Sequence, residues 1–237
     1  MALKARAIVA LDLPNADAAR ALVERLGPAC DFVKIGSELF VAEGPHLVRE
    51  QHQGGRQIFL DLKLHDIPNT VRAAARSAAR LGVRLLTVHG SGGMAMVEAA
   101  VEGAGEGVGV MVVTILTSLD APALAAAWGR PRVDVCEEVL RLAHMARAAG
   151  AHGVVCSGAE AAAVHAEHGD ALAVLVPGIR LSGGAAYDQA RIASPRAAIE
   201  AGARYLVVGR AVTEATDPAA TLLAIRREME EAVQPTG

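Results

Sequence analysis

Residues 59–70 read Phe59-Leu60-Asp61-Leu62-Lys63-Leu64-His65-Asp66-Ile67-Pro68-Asn69-Thr70. This stretch predicts a strand, a short loop and a helix, because apolar residues run up to Lys63 and Pro68 favours the first turn of a helix. We expect Asp66 or Asn69 to cap that helix. Residues two apart in a strand share a face, so Asp61 and Lys63 should point together and the intervening leucines should pack on the other side.

Opposite charges that point together at the carboxyl end of a strand suggest a catalytic or binding site. A buried ion pair between Asp61 and Lys63 that only stabilises the rim of a barrel would leave the same pattern. The segment alone leaves both interpretations open.

The same strand and helix rhythm continues outward along the whole chain. The predicted strands are residues 6–13, 32–37, 57–63, 85–88, 109–116, 153–156, 173–176 and 205–208. The predicted helices are residues 16–26, 44–53, 69–81, 93–102, 133–149, 160–168, 195–201 and 218–232. Near-continuous apolar strands indicate burial on both faces, and therefore a parallel sheet.

Eight such units in 237 residues predict an α/β protein with a single-domain (β/α)8 TIM barrel. An open doubly wound sheet fits less well, because its dinucleotide-binding fingerprint is missing. We expect the barrel to span residues 1–233 and residues 234–237 to form a disordered tail.

Composition narrows the possible partners. The chain is 52% hydrophobic with a net charge of −3, which excludes a broadly basic nucleic-acid-binding surface. No apolar run approaches the roughly 20 residues that span a bilayer, and the N-terminus lacks a signal-peptide pattern. Three widely spaced cysteines fit neither a disulfide framework nor a zinc site, and we expect them to be buried. These features predict a cytoplasmic protein without nucleic-acid or membrane partners.

In such a barrel, functional residues lie at the carboxyl ends of the strands and in the loops that follow. The polar residues at these positions are Asp12, Lys34, Asp61, Lys63, Asp66, His89 and Thr117. A long glycine-bearing connection starts at Arg180 and includes Gln189 and Arg191, and it is a candidate lid. Gly209 and Arg210 follow the last strand, where barrels of this type usually bind phosphate.

The charge pattern argues against a metal. Mg²⁺ prefers carboxylates and water, and two lysines at the same mouth would repel it. Alternating lysines and aspartates instead suit a preorganised electrostatic array in which a lysine donates a proton. His165 and His168 lie on a predicted helix without carboxylate partners, and we expect a solvated face there, not a pair of metal ligands.

The segment from Asp61 to Thr70 resembles the signature of the orotidine 5′-phosphate decarboxylase family. Further similar segments are Leu11-Asp12, Val33-Lys34-Ile35-Gly36, Thr87-Val88-His89, Leu116-Thr117-Ser118, Pro177-Gly178-Ile179-Arg180, Asp188-Gln189 with Arg191, and Val208-Gly209-Arg210. One departure is Leu181, where the family usually has proline. The resemblance covers essentially the whole chain. It implies a homodimeric barrel that converts orotidine 5′-monophosphate to uridine 5′-monophosphate in de novo pyrimidine biosynthesis, without a metal or organic cofactor.

The resemblance also implies a role for individual residues. Lys63 would protonate C6, and Asp61 would lie against the substrate carboxylate. Lys34 would bridge Asp61 and the ribose, and the partner subunit's Asp66 would hold Lys63. The implied substrate contacts are Asp12 and the partner's Thr70 at the ribose, Thr117 at the pyrimidine edge, Gln189, Gly209 and Arg210 at the phosphate, and Arg180 at the start of the lid.

Two alternatives remain open at this point. Magnesium-dependent 3-keto-L-gulonate 6-phosphate decarboxylase and hexulose-phosphate synthase share an Asp-x-Lys-x-x-Asp strand, but they carry a glutamate where this chain has Lys34. A lysine there would oppose the metal. A non-catalytic barrel that binds a nucleotide is the second alternative, and only a turnover measurement would distinguish it.

Overall fold

Eight parallel strands close into a barrel in which each strand pairs with the next and the last pairs with the first. The computed structural model describes residues 5–180 and 193–233. The predicted lid residues Gln189 and Arg191, the departure at Leu181 and the predicted tail lie outside the described residues. The predicted (β/α)8 barrel is confirmed.

All eight predicted strands are present. They are β1 (Arg6–Ala10), β2 (Phe32–Gly36), β3 (Gln57–Leu64), β4 (Leu85–His89), β5 (Gly109–Val113), β6 (Gly153–Val155), β7 (Ala173–Val176) and β8 (Ala203–Val208). Four strands end earlier than predicted: β1 at Ala10 and β5 at Val113 by three residues each, and β2 at Gly36 and β6 at Val155 by one residue each. Directly after β5, the Thr114 hydroxyl donates a hydrogen bond to the Val155 carbonyl of β6 at 2.8 Å. The contact between these two neighbouring strands therefore continues through a side chain beyond Val113.

The helices surround this barrel. They are α1 (Ala16–Leu26), α2 (Ser37–Gln53), α3 (Pro68–Ala79), α4 (Met94–Ala104), α5 (Ala121–Ala127), α6 (Val135–Ala148), α7 (Gly158–His168), α8 (Pro195–Glu200), α9 (Arg210–Thr213) and α10 (Pro218–Val233). The sequence did not predict the short helices α5 and α9. It also placed the start of α2 at Gly44, where the left-handed φ of 65° and the following Pro45 kink the helix without ending it.

Side chains on alternate strand positions fill two apolar layers. Ile8, Phe32, Phe59 and Met111 belong to the cluster inside the barrel. The other strand positions pack against the surrounding helices in a larger buried cluster. Burial on both faces explains the near-continuous apolar strands.

Two local predictions, the cap of α3 and the burial of all three cysteines, were wrong. Helix α3 begins at Pro68, one residue before the predicted range, and its N-cap is Ile67, which makes no side-chain cap bond. The Asp66 carboxylate instead accepts a hydrogen bond from the Ile67 amide at 2.6 Å. The leucines of β3 pack as expected on the face opposite Asp61 and Lys63, since Leu60 is buried and the partly buried Leu62 and Leu64 contact the same core cluster. Among the described residues the cysteines form no disulfide, and Cys30 and Cys156 are buried, whereas Cys136 is partly exposed. Among the described residues, no helix is long and apolar enough to cross a membrane.

Candidate active site

A cleft of about 530 Å³ opens at the carboxyl end of the barrel. Its walls combine apolar residues from inside the barrel, such as Phe59 and Val207, with polar residues from the strand ends. The predicted site residues that line it are Asp12, Lys34, Asp61, Lys63, Thr117, Arg180, Gly209 and Arg210. The fold therefore brings together residues that are up to 198 positions apart, Asp12 and Arg210 being the extremes (210 − 12).

Asp61 is the centre of a charged array in the cleft. Its carboxylate lies 2.9 Å from Lys63 Nζ and 3.5 Å from Lys34 Nζ. Lys34 Nζ also contacts the Asp12 carboxylate at 2.7 Å. Charges therefore alternate in the order Asp12, Lys34, Asp61, Lys63, so that Asp12 extends the array where the predicted alternation continued from Lys63 to Asp66.

Exposure differs along this array. The side chains of Asp61 and Lys34 are 11% and 9% exposed, whereas those of Lys63 and Asp12 are 40% and 58% exposed. Burial disfavours ionisation of Asp61, but the positive charges of Lys34 and Lys63, with hydrogen bonds from Lys63 and Thr87, outweigh it. The pKa of Asp61 is therefore below its usual value. Asp61 stays a carboxylate at neutral pH, although it is nearly buried.

The close contact of Lys34 and Asp12 depends on a glycine. A Cβ atom at Gly36 would lie 2.9 Å from Lys34 Nζ and 3.0 Å from Asp12 Oδ1. Gly36 ends β2, so the strand brings the lysine to the cleft and then leaves space for its amino group.

Basic groups lie on the β7 and β8 side of the cleft. Gly209 and Arg210 follow β8, and the half-buried Arg210 lines the cleft. Arg180 is buried, and its Nη1 donates to the Ile179 carbonyl at 2.9 Å. An isolated β-bridge joins Ile179 to Ala193, and the Arg180 amide donates to the Ala193 carbonyl at 3.0 Å. This bridge fixes both ends of the connection that was predicted to be a lid.

The sequence matches the orotidine 5′-phosphate decarboxylase / HUMPS family over residues 5–225. The chain belongs to this family. It is 53% identical over 222 residues to an orotidine 5′-phosphate decarboxylase of Anaeromyxobacter sp. (strain K), covering 93% of this chain and 96% of the relative. It is 49% identical over 232 residues to the Halorhodospira halophila protein of the same name, covering 96% and 97% of the two chains.

Solved structures agree with this family assignment. The crystal structure of orotidine 5′-phosphate decarboxylase from Lactobacillus acidophilus superposes with a TM-score of 0.86 at 38% identity, covering 95% of this chain and 99% of that one. The enzyme of the same name from Pyrococcus horikoshii gives a TM-score of 0.76 at 25% identity, covering 95% and 99%. Members of the orotidine 5′-phosphate decarboxylase / HUMPS family thus share the whole barrel with this chain.

Within this family, the donor set of the cleft does not suit Mg²⁺. The carboxylate of Asp61 is already paired with two ammonium groups, and one of them, from Lys34, also occupies the side facing Asp12. A divalent cation would have to displace Lys34 or lie beside it, and both cost electrostatic energy.

Two predicted residues do not line the cleft of their own chain. Asp66 and Thr70 are exposed, like every residue from His65 to Thr70. Among the described residues, Asp66 forms no ion pair with Lys63. Gln189 lies outside the described residues.

Sequence reasoning gave no role to Thr87, although it lies in one of the segments similar to the family. Its hydroxyl accepts a hydrogen bond from the Lys63 amide at 2.8 Å and donates to Asp61 Oδ1 at 2.9 Å. A polar residue in the middle of the apolar strand β4 was the available signal, because a buried hydroxyl needs partners.

Proposed function

We propose that this chain is a carboxy-lyase that converts orotidine 5′-monophosphate to uridine 5′-monophosphate in pyrimidine biosynthesis. The observation that carries the proposal is the array of Lys34, Asp61 and Lys63 in the cleft of a barrel whose relatives are named orotidine 5′-phosphate decarboxylase. We propose further that one catalytic domain, residues 1–233, carries the site, since all cleft-lining strands belong to one closed barrel.

The charges account for the chemistry. Asp61, held as an anion, would lie against the substrate carboxylate and repel it. Two unit charges about 4 Å apart interact by roughly 4 kcal/mol at an effective dielectric constant near 20. When the bond from C6 to the carboxylate breaks, CO₂ leaves and its electron pair stays on C6.

Lys63 completes the reaction. Its ammonium lies 2.9 Å from Asp61 and is partly exposed to the cleft, so it can approach the carbon from which CO₂ departs. It attracts the developing negative charge and donates a proton to C6, and the neutral amine then regains a proton from solvent. No redox cofactor is required, because the electrons of the broken bond remain on the product.

The remaining cleft residues would bind the parts of the substrate that do not react. Arg210 and the Gly209 amide would bind the phosphate together with Gln189, and Arg180 would support the base of the lid. Asp12 and Lys34 would contact the ribose. Thr117, which lines the cleft and is partly buried, would face the pyrimidine edge.

We also propose a homodimer with shared active sites, in which the partner subunit's Asp66 holds Lys63 and the partner's Thr70 binds the ribose. The exposure of the whole 65–70 segment supports this, and Ile67 alone is 67% exposed. A large apolar side chain at that position is what a second subunit would cover. Three cysteines that form no disulfide among the described residues also favour a reducing compartment, and we propose the cytoplasm.

The test is turnover of orotidine 5′-monophosphate, followed by the loss of orotate absorbance, with and without EDTA. We expect decarboxylation at the same rate in both samples. Loss of activity with EDTA that Mg²⁺ restores would favour the metal-dependent members of the family. Tight nucleotide binding without turnover would indicate a non-catalytic barrel.

A further inference from the structure

The backbone of Lys63 has an unusual conformation. Its φ is 48°, and among the described residues it is the one non-glycine with a positive φ. The pairing of β3 with β4 shifts register between Leu60 and Leu64, so this conformation interrupts the strand. A left-handed conformation is unfavourable for an L-residue with a side chain, and it persists only where neighbouring groups hold it.

Thr87 on β4 supplies those contacts. Thr87 is buried, with 1% of the residue exposed. Its hydroxyl accepts a hydrogen bond from the Lys63 amide at 2.8 Å and donates one to Asp61 Oδ1 at 2.9 Å. The same oxygen of Asp61 accepts a hydrogen bond from Lys63 Nζ at 2.9 Å. The three residues therefore form a closed ring of hydrogen bonds that starts and ends on Lys63.

We propose that Thr87 is a positioning residue for decarboxylation. Its hydroxyl fixes the left-handed backbone of Lys63 and the orientation of the Asp61 carboxylate with one group. The ammonium and the carboxylate consequently keep a fixed separation while the substrate changes. The inference rests on the proposed function, because it requires Lys63 to act as the proton donor and Asp61 to face the substrate carboxylate.

The test compares three variants with the wild type. Thr87→Val keeps the shape and loses both hydrogen bonds, and Thr87→Ser keeps the hydroxyl. Thr114→Val is the matched control, because Thr114 is equally buried but donates to the Val155 carbonyl and does not line the cleft. We expect Thr87→Val to lower kcat about 10- to 30-fold with a smaller change in KM, Thr87→Ser to regain most of kcat, and Thr114→Val to keep it.

The outcomes distinguish failure of the positioning role of Thr87 from failure of the proposed decarboxylase function. A wild type that does not turn over the substrate would refute the proposed function. An active wild type whose kcat is unchanged by Thr87→Val would refute the positioning role alone. If Thr87→Val does not fold, Thr87→Ala replaces it, and a kcat equal to that of Thr114→Val would refute the positioning role.

A second and independent observation lies on the outer helices. His144 of α6 and the adjacent Glu167 and His168 of α7 bring one ligand atom each within 4.8 Å of one another. His144 Nε2 contacts Glu167 Oε2 at 2.6 Å, and the rings of His144 and His168 lie 4.7 Å apart. The predicted solvated histidine face is therefore wrong for His168, which meets a histidine and a carboxylate from two helices.

Part of this cluster is already desolvated. His168 Nε2 is shielded from solvent and, in the part of the chain that the structure describes, has no hydrogen-bond partner. Two imidazoles and a carboxylate are a common ligand set for Zn²⁺, with ligand bonds of about 2.0–2.2 Å and a further position left for water. Small side-chain rotations would bring the three atoms to that distance from one ion.

We infer that His144, Glu167 and His168 form a transition-metal site that binds Zn²⁺ and links α6 to α7 at a position remote from the catalytic array. None of the three lines the cleft. Zinc bound here would act on stability, because it joins two helices that otherwise meet through side-chain contacts.

Calorimetric titration of chelator-treated protein with ZnCl₂ tests this site. We expect one Zn²⁺ per chain, a rise in Tm on binding, and loss of both effects in His144→Ala and His168→Ala. His165→Ala is the control, because His165 lies on the same helix but packs against Gly202 and is not in the cluster. Equal binding in all variants, or no binding by the wild type, would refute the site.

Discussion

The Lys63 side chain is partly exposed to the cleft and contacts Asp61. Its removal should therefore lower the rate of decarboxylation more than it lowers the stability of the fold. We expect Lys63→Ala to lower kcat by about 10²–10⁴-fold or more, since a general acid contributes on that scale. Lys63→Arg keeps the positive charge but donates from a bulkier, less acidic group, so it should recover little. Single-turnover kinetics with orotidine 5′-monophosphate would measure both. A variant Lys63→Ala with near-normal kcat would show that another group delivers the proton.

Substitution of Arg210 tests whether binding of the phosphate, which does not react, contributes to the rate of decarboxylation. Arg210→Ala should lower kcat/KM for orotidine 5′-monophosphate by roughly 30- to 1000-fold, because it removes a charge-assisted contact of about 2–4 kcal/mol. Orotidine without its phosphate should react equally slowly with wild type and variant. Arg204 on β8, whose guanidinium lies 5.6 Å from the Tyr205 ring centre, provides the control substitution Arg204→Ala. An equal loss on both substrates would mean that Arg210 shapes the cleft and does not bind phosphate.

Asp61 links the site to stability at acid pH. Its pKa is lowered in the folded protein, so its contribution is present above its ordinary pKa and is lost as the pH falls through the lowered value. Asp61→Asn should therefore destabilise the protein near neutral pH, by about 2–4 kcal/mol for a nearly buried charge whose partners remain. Urea unfolding near pH 7 and about pH 3 measures this difference, which should shrink in acid. A difference that is the same at both pH values would contradict the ionised array.

At the scale of elements, the junction of β2 and α2 requires a residue without a side chain at Gly36, because Lys34 and Asp12 occupy the adjacent space. Gly36→Ala leaves the backbone unstrained, because φ at this position is −89°. Its new Cβ would displace Lys34 and Asp12, and we expect kcat/KM to fall about 3- to 30-fold with little change in Tm. Gly107→Ala adds the same methyl group to open space and is the control. Similar kinetics for the two variants would show that the cleft adapts to the extra atom.

Elements also differ in how far a sequence reveals them. The strands and their parallel order could be predicted, because strands buried on both faces leave long apolar runs between helical segments. The charged array could be predicted because strand periodicity places Asp61 and Lys63 together. The left-handed backbone of Lys63 could not, since it depends on Thr87, 24 positions away in sequence. Helix α5 was missed because its seven residues are too few to show a periodic pattern.

At the scale of the whole molecule, the proposed dimer predicts complementation between inactive variants. Asp66→Ala and Lys34→Ala chains that exchange subunits should regain activity, because each mixed dimer holds one site with both native residues. Random pairing puts about half of the molecules in mixed dimers, so roughly a quarter of the wild-type sites return. Kinetics after mixing and refolding measures the recovery.

The matched control for complementation mixes Asp61→Ala with Lys34→Ala. Asp61 and Lys34 lie 3.5 Å apart within one chain, so mixed dimers of these two variants contain no complete site and should stay inactive. Recovery in the control would point to recombined or contaminating protein. No recovery with Asp66→Ala, despite subunit exchange, would place Asp66 outside the neighbouring site.

The β-bridge between Ile179 and Ala193 holds together the two positions at which the chain leaves and rejoins the barrel. The bridge fixes the separation of these two positions, whatever the length of chain between them. The closure cost of a flexible loop grows by only about 0.6 kcal/mol for each doubling of its length. Insertions and deletions between these two residues are therefore nearly free for the scaffold. We therefore expect a change of chain length between Ile179 and Ala193 to leave the stability of the barrel that holds Lys63 and Asp61 nearly unchanged.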